Sequence, residues 1–446
     1  MTATRVREVA RRRVVTRTVP ARLRIGAVLA AVAVLALFLA VRSGLGNGRD
    51  GLRVVGHDAG PQVVHTGDLY YALSDMDGQL ASALLGGDDP AGREAYLHLY
   101  DQRRGEADRA VLEAFDIAGK DPAGRLTVQS VLDGLGRYER LASRALVLDE
   151  QSKHPPGVAP KQVLELYRQA TDLMRLDLLP KAYNLTLESA AIVRETYAAE
   201  RSNVTRARIA VGVTGVALLG VLVALQLYLT RRFRRIVNPA LALTTVLALA
   251  LTVTAELALG SAASHLREAK IDGFDSTLAY TRARAISNSA AGDQTRYLLD
   301  PERADTYEQV YLDKLQAIAF YDVGSLPKYA QNLAAADPKL GFLGGGPSVA
   351  LDRFRDVEKS DTELRRLAPR DRAAAVRFRT VNAAPAFAIY DDELGKLISQ
   401  RNAVFRREIR KGDDALDGWH RGLPVTAAVL IVLIALGVRP RLAEFR

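Results

Sequence analysis

Four apolar stretches divide this chain of 446 residues and limit its possible folds more than any other feature. They are residues 25–41, 209–230, 237–260 and 423–438, and Glu256 is the only formally charged residue among them. A hydrocarbon core about 30 Å thick is crossed by roughly 20 residues of helix. The middle two stretches have that length, and arginines beside the shorter outer two can extend to the membrane interface. We therefore predict four transmembrane helices.

Arginines cluster beside these spans and predict their orientation. Residues 1–24 hold eight arginines, the loop 231–236 holds four and the tail 439–446 holds three. Positive residues are enriched on the cytoplasmic side of a membrane. We therefore predict a multi-pass plasma-membrane protein with both termini and the loop in the cytoplasm, and with residues 42–208 and 261–422 outside. These clusters account for the net charge of +10, so no nucleic-acid partner is expected.

Cysteine is absent from the chain, which excludes disulfides and thiolate metal sites. The abundance of Ala and Arg with few Lys favours a bacterial source. The long basic lead before the first span favours an uncleaved membrane anchor over a signal peptide.

The first polar segment, residues 42–208, has the pattern of a four-helix bundle. Asp-Pro pairs at Asp89 and Asp121 are typical helix starts, since Asp caps free amides and Pro fits the first turn. They predict helices over about 61–86, 90–118, 122–152 and 160–208. An apolar heptad stripe supports packing into one bundle; it comprises Leu69, Leu73, Met76, Leu80 and Ala83. Pro180 should kink the last helix without ending it.

The second polar segment, residues 261–422, repeats this plan. Its first helix should continue from the third span to residue 299, and a second should run from Pro301 to about Ala336. A third is predicted to break near Pro369, and a fourth to start at Pro385. The sequence thus predicts an all-α membrane protein with four transmembrane helices and two extracytoplasmic four-helix bundles in tandem, products of an internal duplication.

No constellation of residues in the chain predicts catalysis. The six histidines are scattered without ligand spacing, and Gly344–Gly346 lacks the Lys and Ser/Thr of a phosphate-binding loop. We therefore predict no catalytic residues, no metal site, no cofactor and no enzymatic activity.

A polar seam in the second polar segment is the candidate ligand site. Aligning the two segments puts Arg282 and Asp293 where the first has Leu69 and Leu80. With Arg284, these residues could hold the carboxylate of a small ligand, because a guanidinium offers two parallel donors. The alternative is that the register is wrong and all three lie on a solvated face. Asp75 and Asp77 are expected to be solvated charges.

The cytoplasmic loop is the candidate output surface. Its arginines Arg231, Arg232, Arg234 and Arg235 could dock a partner, or could only anchor the loop to anionic lipid.

The layout and two local phrases, Tyr167–Met174 and Arg282–Ser287, give the chain a family resemblance. It resembles the actinobacterial membrane sensors with tandem four-helix bundles. That resemblance implies an amino-acid-binding lipoprotein as the outside partner and the soluble serine/threonine protein kinase G as the cytoplasmic receiver. The layout also admits a homodimer.

The sequence therefore favours a transmembrane signal transducer that contacts the lipid bilayer and receives a small molecule or a loaded solute-binding protein. The rival interpretation is an envelope scaffold or assembly protein that only holds partners. A transporter subunit is a third interpretation, but four spans with one charge offer no polar pathway.

Overall fold

The computed structural model describes residues 19–118, 122–233, 238–320, 339–340 and 349–443. Within these ranges the chain is almost entirely helical, and two-residue strands form the one pairing, with β1 (Ala319–Phe320) antiparallel to β2 (Lys339–Leu340). The predicted all-α class is confirmed.

The α-helices of the described residues are α1 (Val19–Arg53), α2 (Gly60–Gly86), α3 (Pro90–Ala118), α4 (Pro122–Ser152), α5 (Lys161–Leu173), α6 (Leu179–Phe233), α7 (Pro239–Glu268), α8 (Ser276–Leu299), α9 (Ala304–Ile318), α10 (Val349–Leu367), α11 (Arg372–Phe378), α12 (Ala384–Leu416) and α13 (Trp419–Ala443). The π-helices are π1 (Val54–Ala59), π2 (Met174–Leu178), π3 (Ala269–Asp275) and π4 (Arg379–Ala383), and Pro301–Arg303 is a 3-10 turn.

Four helical stretches are long and apolar enough to cross a membrane, judged by length and composition. They are Ala21–Gly86, Lys161–Arg231, Pro239–Leu299 and Arg372–Pro440. Each contains one predicted span together with a helix of a polar segment. The protein is thus an all-α membrane protein.

The chain forms two compact units. The span unit comprises Met1–Gly56, Arg194–Ala269 and Arg407–Arg446, and the bundle unit comprises His57–Val193 and Lys270–Arg406.

In the span unit, α13 packs against α1 and α7. One face of α1 is buried through Leu23, Ala30, Val34, Leu37 and Val41. The opposite face exposes Val28, Leu29, Val32, Leu35 and Leu39. A surface that is apolar on its exposed side suits contact with lipid. Glu256, the charged residue within the predicted third span, is paired. Arg208 Nε donates to its Oε2 over 3.1 Å.

In the bundle unit, α2 packs against both α3 and α8, and α8 also packs against α9. The predicted stripe from Leu69 to Ala83 is fully buried. The main apolar core joins these residues to Leu298, Leu364 and Val376 of the second polar segment. Both polar segments therefore contribute to this main core, which the separate stripes did not predict. A second core among the described residues belongs to the second segment alone and includes Tyr311, Phe354 and Tyr390.

Three of the four π-helices end two residues before a proline. They are π1 before Pro61, π2 before Pro180 and π4 before Pro385. Proline has no N–H for the carbonyl four residues earlier, and its ring presses on that carbonyl, so the turn before it widens. The prediction that Pro180 would not end its helix is confirmed. Pro385 also lies within a continuous helical stretch. The helix that was predicted to begin at Pro385 therefore begins earlier, at Arg372.

One other helix boundary differs from the prediction. Helix α9 ends at Ile318 rather than near Ala336, because Ala319 and Phe320 pair with β2; residues 321–338 lie outside the described ranges. Asp300 occupies the N-cap position of the Pro301–Arg303 turn, but its side chain makes no capping hydrogen bond. Its carboxylate instead accepts two hydrogen bonds from Arg168, at 2.8 Å from Nε and 2.5 Å from Nη2.

Candidate functional site

A cavity of about 420 Å³ with polar and apolar walls lies within the bundle unit. Its walls are α2, α3, α8 and the stretch from π4 into α12, so both polar segments contribute. Cavities that bind small molecules usually have volumes of 300–1,000 Å³ and combine apolar walls with a few polar groups. The polar lining includes Tyr71, Asp75, Gln79, Asn288 and Thr380, and the apolar lining includes Leu99, Pro385 and Phe387.

On one side of the cavity, Asp75 is held by Arg103. Arg103 Nε donates to Asp75 Oδ2 over 2.5 Å, and Gln79 Nε2 donates to Oδ1 over 2.8 Å. The guanidinium of Arg103 also lies 5.1 Å from the ring centroid of Tyr71. Asp75 is buried, so the expectation that it is a solvated charge was wrong.

Asp391 is held by Arg284, one of the predicted ligand residues, and the Tyr71 hydroxyl accepts from both Arg103 and Arg284. Arg284 donates from Nε and Nη2 to the two carboxylate oxygens over 2.8 and 2.7 Å. The Tyr71 hydroxyl donates to the same carboxylate over 3.1 Å. Burial raises the pKa of this hydroxyl. Arg284 thus lies beside the cavity, with its two-donor fork occupied by Asp391.

Arg379 also lines the cavity and was not predicted. Its side chain is 8% exposed, and its Nη2 donates to the Ala291 carbonyl over 3.2 Å. Its Nε is buried without a hydrogen-bond partner, and burial lowers the pKa of the guanidinium. The sequence did carry a signal for it, because Arg379 interrupts the buried stripe Ala375, Val376 and Ala383.

The other two predicted ligand residues lie outside this cavity. Arg282 has buried Nε and Nη2 atoms without partners, and its guanidinium is 5.9 Å from the ring centroid of Tyr183. Asp293 is fully buried and is bound by internal cations. Arg296 Nη1 donates to it over 2.6 Å, and Lys314 Nζ donates to its other oxygen.

Asp77 belongs to the same buried ion network, so the expectation that it is solvated was also wrong. Its carboxylate accepts from Arg296, from the Tyr138 hydroxyl over 3.0 Å and from the Thr171 hydroxyl over 2.7 Å. Burial alone would raise the pKa of Asp293, but Lys314 and Arg296 keep it below its ordinary value. This network fixes α2, α8 and α9 to one another.

Lys314 should give the protein a pH-dependent stability. Burial lowers its pKa to about 8, against the attraction of Asp293. Between pH 8 and the higher pKa of the unfolded chain, the folded state binds fewer protons, so this group makes the free energy of unfolding rise with pH. The slope is at most about 1.4 kcal/mol per pH unit. Lys314→Met should reduce the rise of the melting temperature with pH, measured from pH 7.5 to 9.5. The exposed Lys359→Met should keep the wild-type slope, and equal slopes in all three proteins would show that Lys314 does not titrate there.

The predicted docking arginines are only partly described. Arg231 is exposed at the end of α6, and Arg232 lies in that helix. The side chain of Arg232 and all of Arg234 and Arg235 lie outside the described part of the chain.

The span unit brings together a group that the spacing of the histidines did not predict. Ligand atoms of His265, Glu268 and Glu408 lie within 4.8 Å of one another, as a metal site requires. Glu408 is already paired, with His265 Nδ1 at 2.8 Å and Lys411 Nζ at 2.7 Å.

Comparison with known proteins identifies part of the chain. Residues 51–198 match the family model of the actinobacterial sensor domain. The match covers one third of the chain and ends before the second polar segment. No curated protein and no solved structure matches the chain significantly. The match supports a sensor of the actinobacterial kind.

Proposed function

We propose that this protein is a transmembrane sensor that binds a small molecule in the cavity of the bundle unit and passes the signal to a separate cytoplasmic partner. The observation that carries the proposal is the cavity itself. The sensor-domain match covers the α2 and α3 side of it, including Tyr71, Asp75 and Arg103, while α8 and α12 close the other side.

The connectivity of the chain supports a relay. Three helices that line the cavity are continuous in sequence with an apolar span, namely α2 through π1, α8 through π3, and α12, which leads to α13. A ligand that favours one arrangement of these helices would change the equilibrium between two states of the protein. Coupling free energies of about 1–3 kcal/mol are typical of such systems.

The orientation and partners belong to the same proposal. Both termini and the loop 231–236 are cytoplasmic, as the arginine clusters suggest, and the bundle unit is outside the cell. A solute-binding lipoprotein would deliver or compete for the ligand, and a serine/threonine kinase would receive the signal, so the chain itself needs no enzymatic activity. A reporter fused at Arg232 that reads outside the cell would contradict this orientation.

A bulky residue at the cavity wall should abolish ligand binding. Ala388 lines the cavity and is exposed, so Ala388→Trp can fill the space without disturbing the core. We expect the twenty amino acids and common small carboxylic acids to include at least one compound that raises the melting temperature of the full-length protein in nanodiscs. Ala388→Trp should remove that rise.

Ala95→Trp is the matched control, because Ala95 is exposed on α3 and does not line the cavity. It should keep the wild-type response. A compound that stabilises both tryptophan variants equally binds elsewhere, and the cavity would then not be the sensing site. A protein that no compound stabilises would favour the envelope scaffold.

A further inference from the structure

One guanidinium that lines the cavity, that of Arg379, makes no ion pair with any of the described residues. Asp75 is paired with Arg103, and Asp391 is paired with Arg284. Arg379 has no carboxylate within ion-pair distance among the described residues. Arg103 also pairs with Glu106 over 2.6 Å, so Arg379 is the guanidinium at the cavity that lacks a carboxylate partner among the described residues.

Arg379 is more than nine-tenths buried, and its Nε has no partner. Its one hydrogen bond, to the Ala291 carbonyl, is made by Nη2 at 3.2 Å. A buried charge is normally paired, because desolvation without a counter-charge is expensive. The unpaired guanidinium thus marks the place where the missing anion would bind.

We propose that the ligand is a small organic molecule with one carboxylate, and that Arg379 anchors this carboxylate. The proposal rests on the proposed sensor function and specifies the ligand class of the same cavity. A planar guanidinium matches the two oxygens of a carboxylate, and one carboxylate would supply the ion-pair partner that Arg379 lacks.

The rest of the lining fits the remainder of such a molecule. Leu99, Pro385 and Phe387 provide apolar contact, and Asn288 and Thr380 are amide and hydroxyl groups at the wall. A volume of about 420 Å³ accommodates a ligand the size of a substituted benzoate. Arg103 and Arg284 are already bonded to acids of the protein and are not needed for the ligand's carboxylate.

The test compares two probes of nearly equal shape, 4-fluorobenzoate and the neutral 4-fluorobenzamide. Binding of each to the full-length protein in phosphatidylcholine nanodiscs is measured by ¹⁹F NMR. We expect the benzoate to bind at least about tenfold more tightly than the amide, a difference of about 1.4 kcal/mol. Arg379→Met should remove this preference and leave the amide's affinity unchanged.

The matched control is Arg377→Met, because Arg377 is exposed two residues earlier and does not line the cavity. It should keep the preference for the anion. The proposal is overturned if wild type shows no preference for the benzoate, or if the preference survives in Arg379→Met.

Melting temperatures without a probe separate a binding role of Arg379 from a structural one. Removing an unpaired buried charge should leave Arg379→Met at least as stable as wild type. A marked fall in its melting temperature would assign Arg379 to the structure and overturn the proposal.

The outcomes also separate this inference from the sensor function. Selective benzoate binding that changes no helix arrangement would contradict the sensor and keep the carboxylate site. A change in helix arrangement that wild type shows equally with the benzoate and the amide, without tighter binding of the benzoate, would keep the sensor and contradict the carboxylate site.

Discussion

Arg296→Ala should lower the free energy of unfolding by about 3–5 kcal/mol, the cost typical of breaking a buried ion pair. Arg296 is 1% exposed and donates to Asp77, to Asp293 and to the Tyr167 hydroxyl. Its loss leaves the Asp77 carboxylate buried without a cation and leaves Asp293 with Lys314 and, at 3.9 Å, Arg175. Urea unfolding followed by circular dichroism on the full-length protein measures the effect.

Arg303→Ala is the control for this change. Arg303 pairs with Asp172 over 2.9 Å, but both side chains are more than one-third exposed, so the loss should be below about 1 kcal/mol. If the two variants lose equal stability, the buried network does not hold the bundle unit together.

Gly273→Ala should destabilise the protein by about 1–3 kcal/mol or more, the range for overpacked sites. A Cβ at Gly273 would lie 2.7 Å from Phe405 Cα and 2.9 Å from its backbone nitrogen. Backbone atoms cannot move aside as a flexible side chain can, so π3 and α12 would be forced apart.

The matched substitution Gly105→Ala should have the opposite sign. Gly105 is exposed in α3, and a Cβ there would meet nothing within 4 Å. Alanine in a helix interior is favoured over glycine by up to about 1 kcal/mol. Thermal unfolding of both variants should therefore show shifts in opposite directions; a shift in the same direction would contradict the close contact at Gly273.

The fold was largely predictable because helical periodicity and proline positions are local signals. The stripe from Leu69 to Ala83 is buried as predicted, and the starts at Pro90 and Pro122 are those observed. The contribution of both polar segments to the main core was not predictable, since it depends on contacts such as those of Leu298 and Val376 with residues far away in the chain.

The site was less predictable for the same reason. The alignment placed Asp293 at a core position, and it is buried there, but its cations follow from the packed structure. Asp77 meets Arg296, 219 positions away, so no spacing in the sequence could show that this acid is buried and paired. Arg379 is recognisable as a charge in an apolar stripe, whereas the cavity beside it depends on α2 and α8.

The sensor and scaffold interpretations differ in whether ligand binding moves helices. Because the chain has no cysteine, Asp101→Cys on α3 and Ser399→Cys on α12 would be the only sites for spin labels, and both positions are exposed in the bundle unit. The distance between them is measured by pulsed electron paramagnetic resonance, with and without the compound that gives the largest thermal shift. The proposed sensor predicts a change of about 1–2 Å in the mean distance, the size of known helix shifts. An unchanged distance distribution in the ligand-saturated protein would contradict the account.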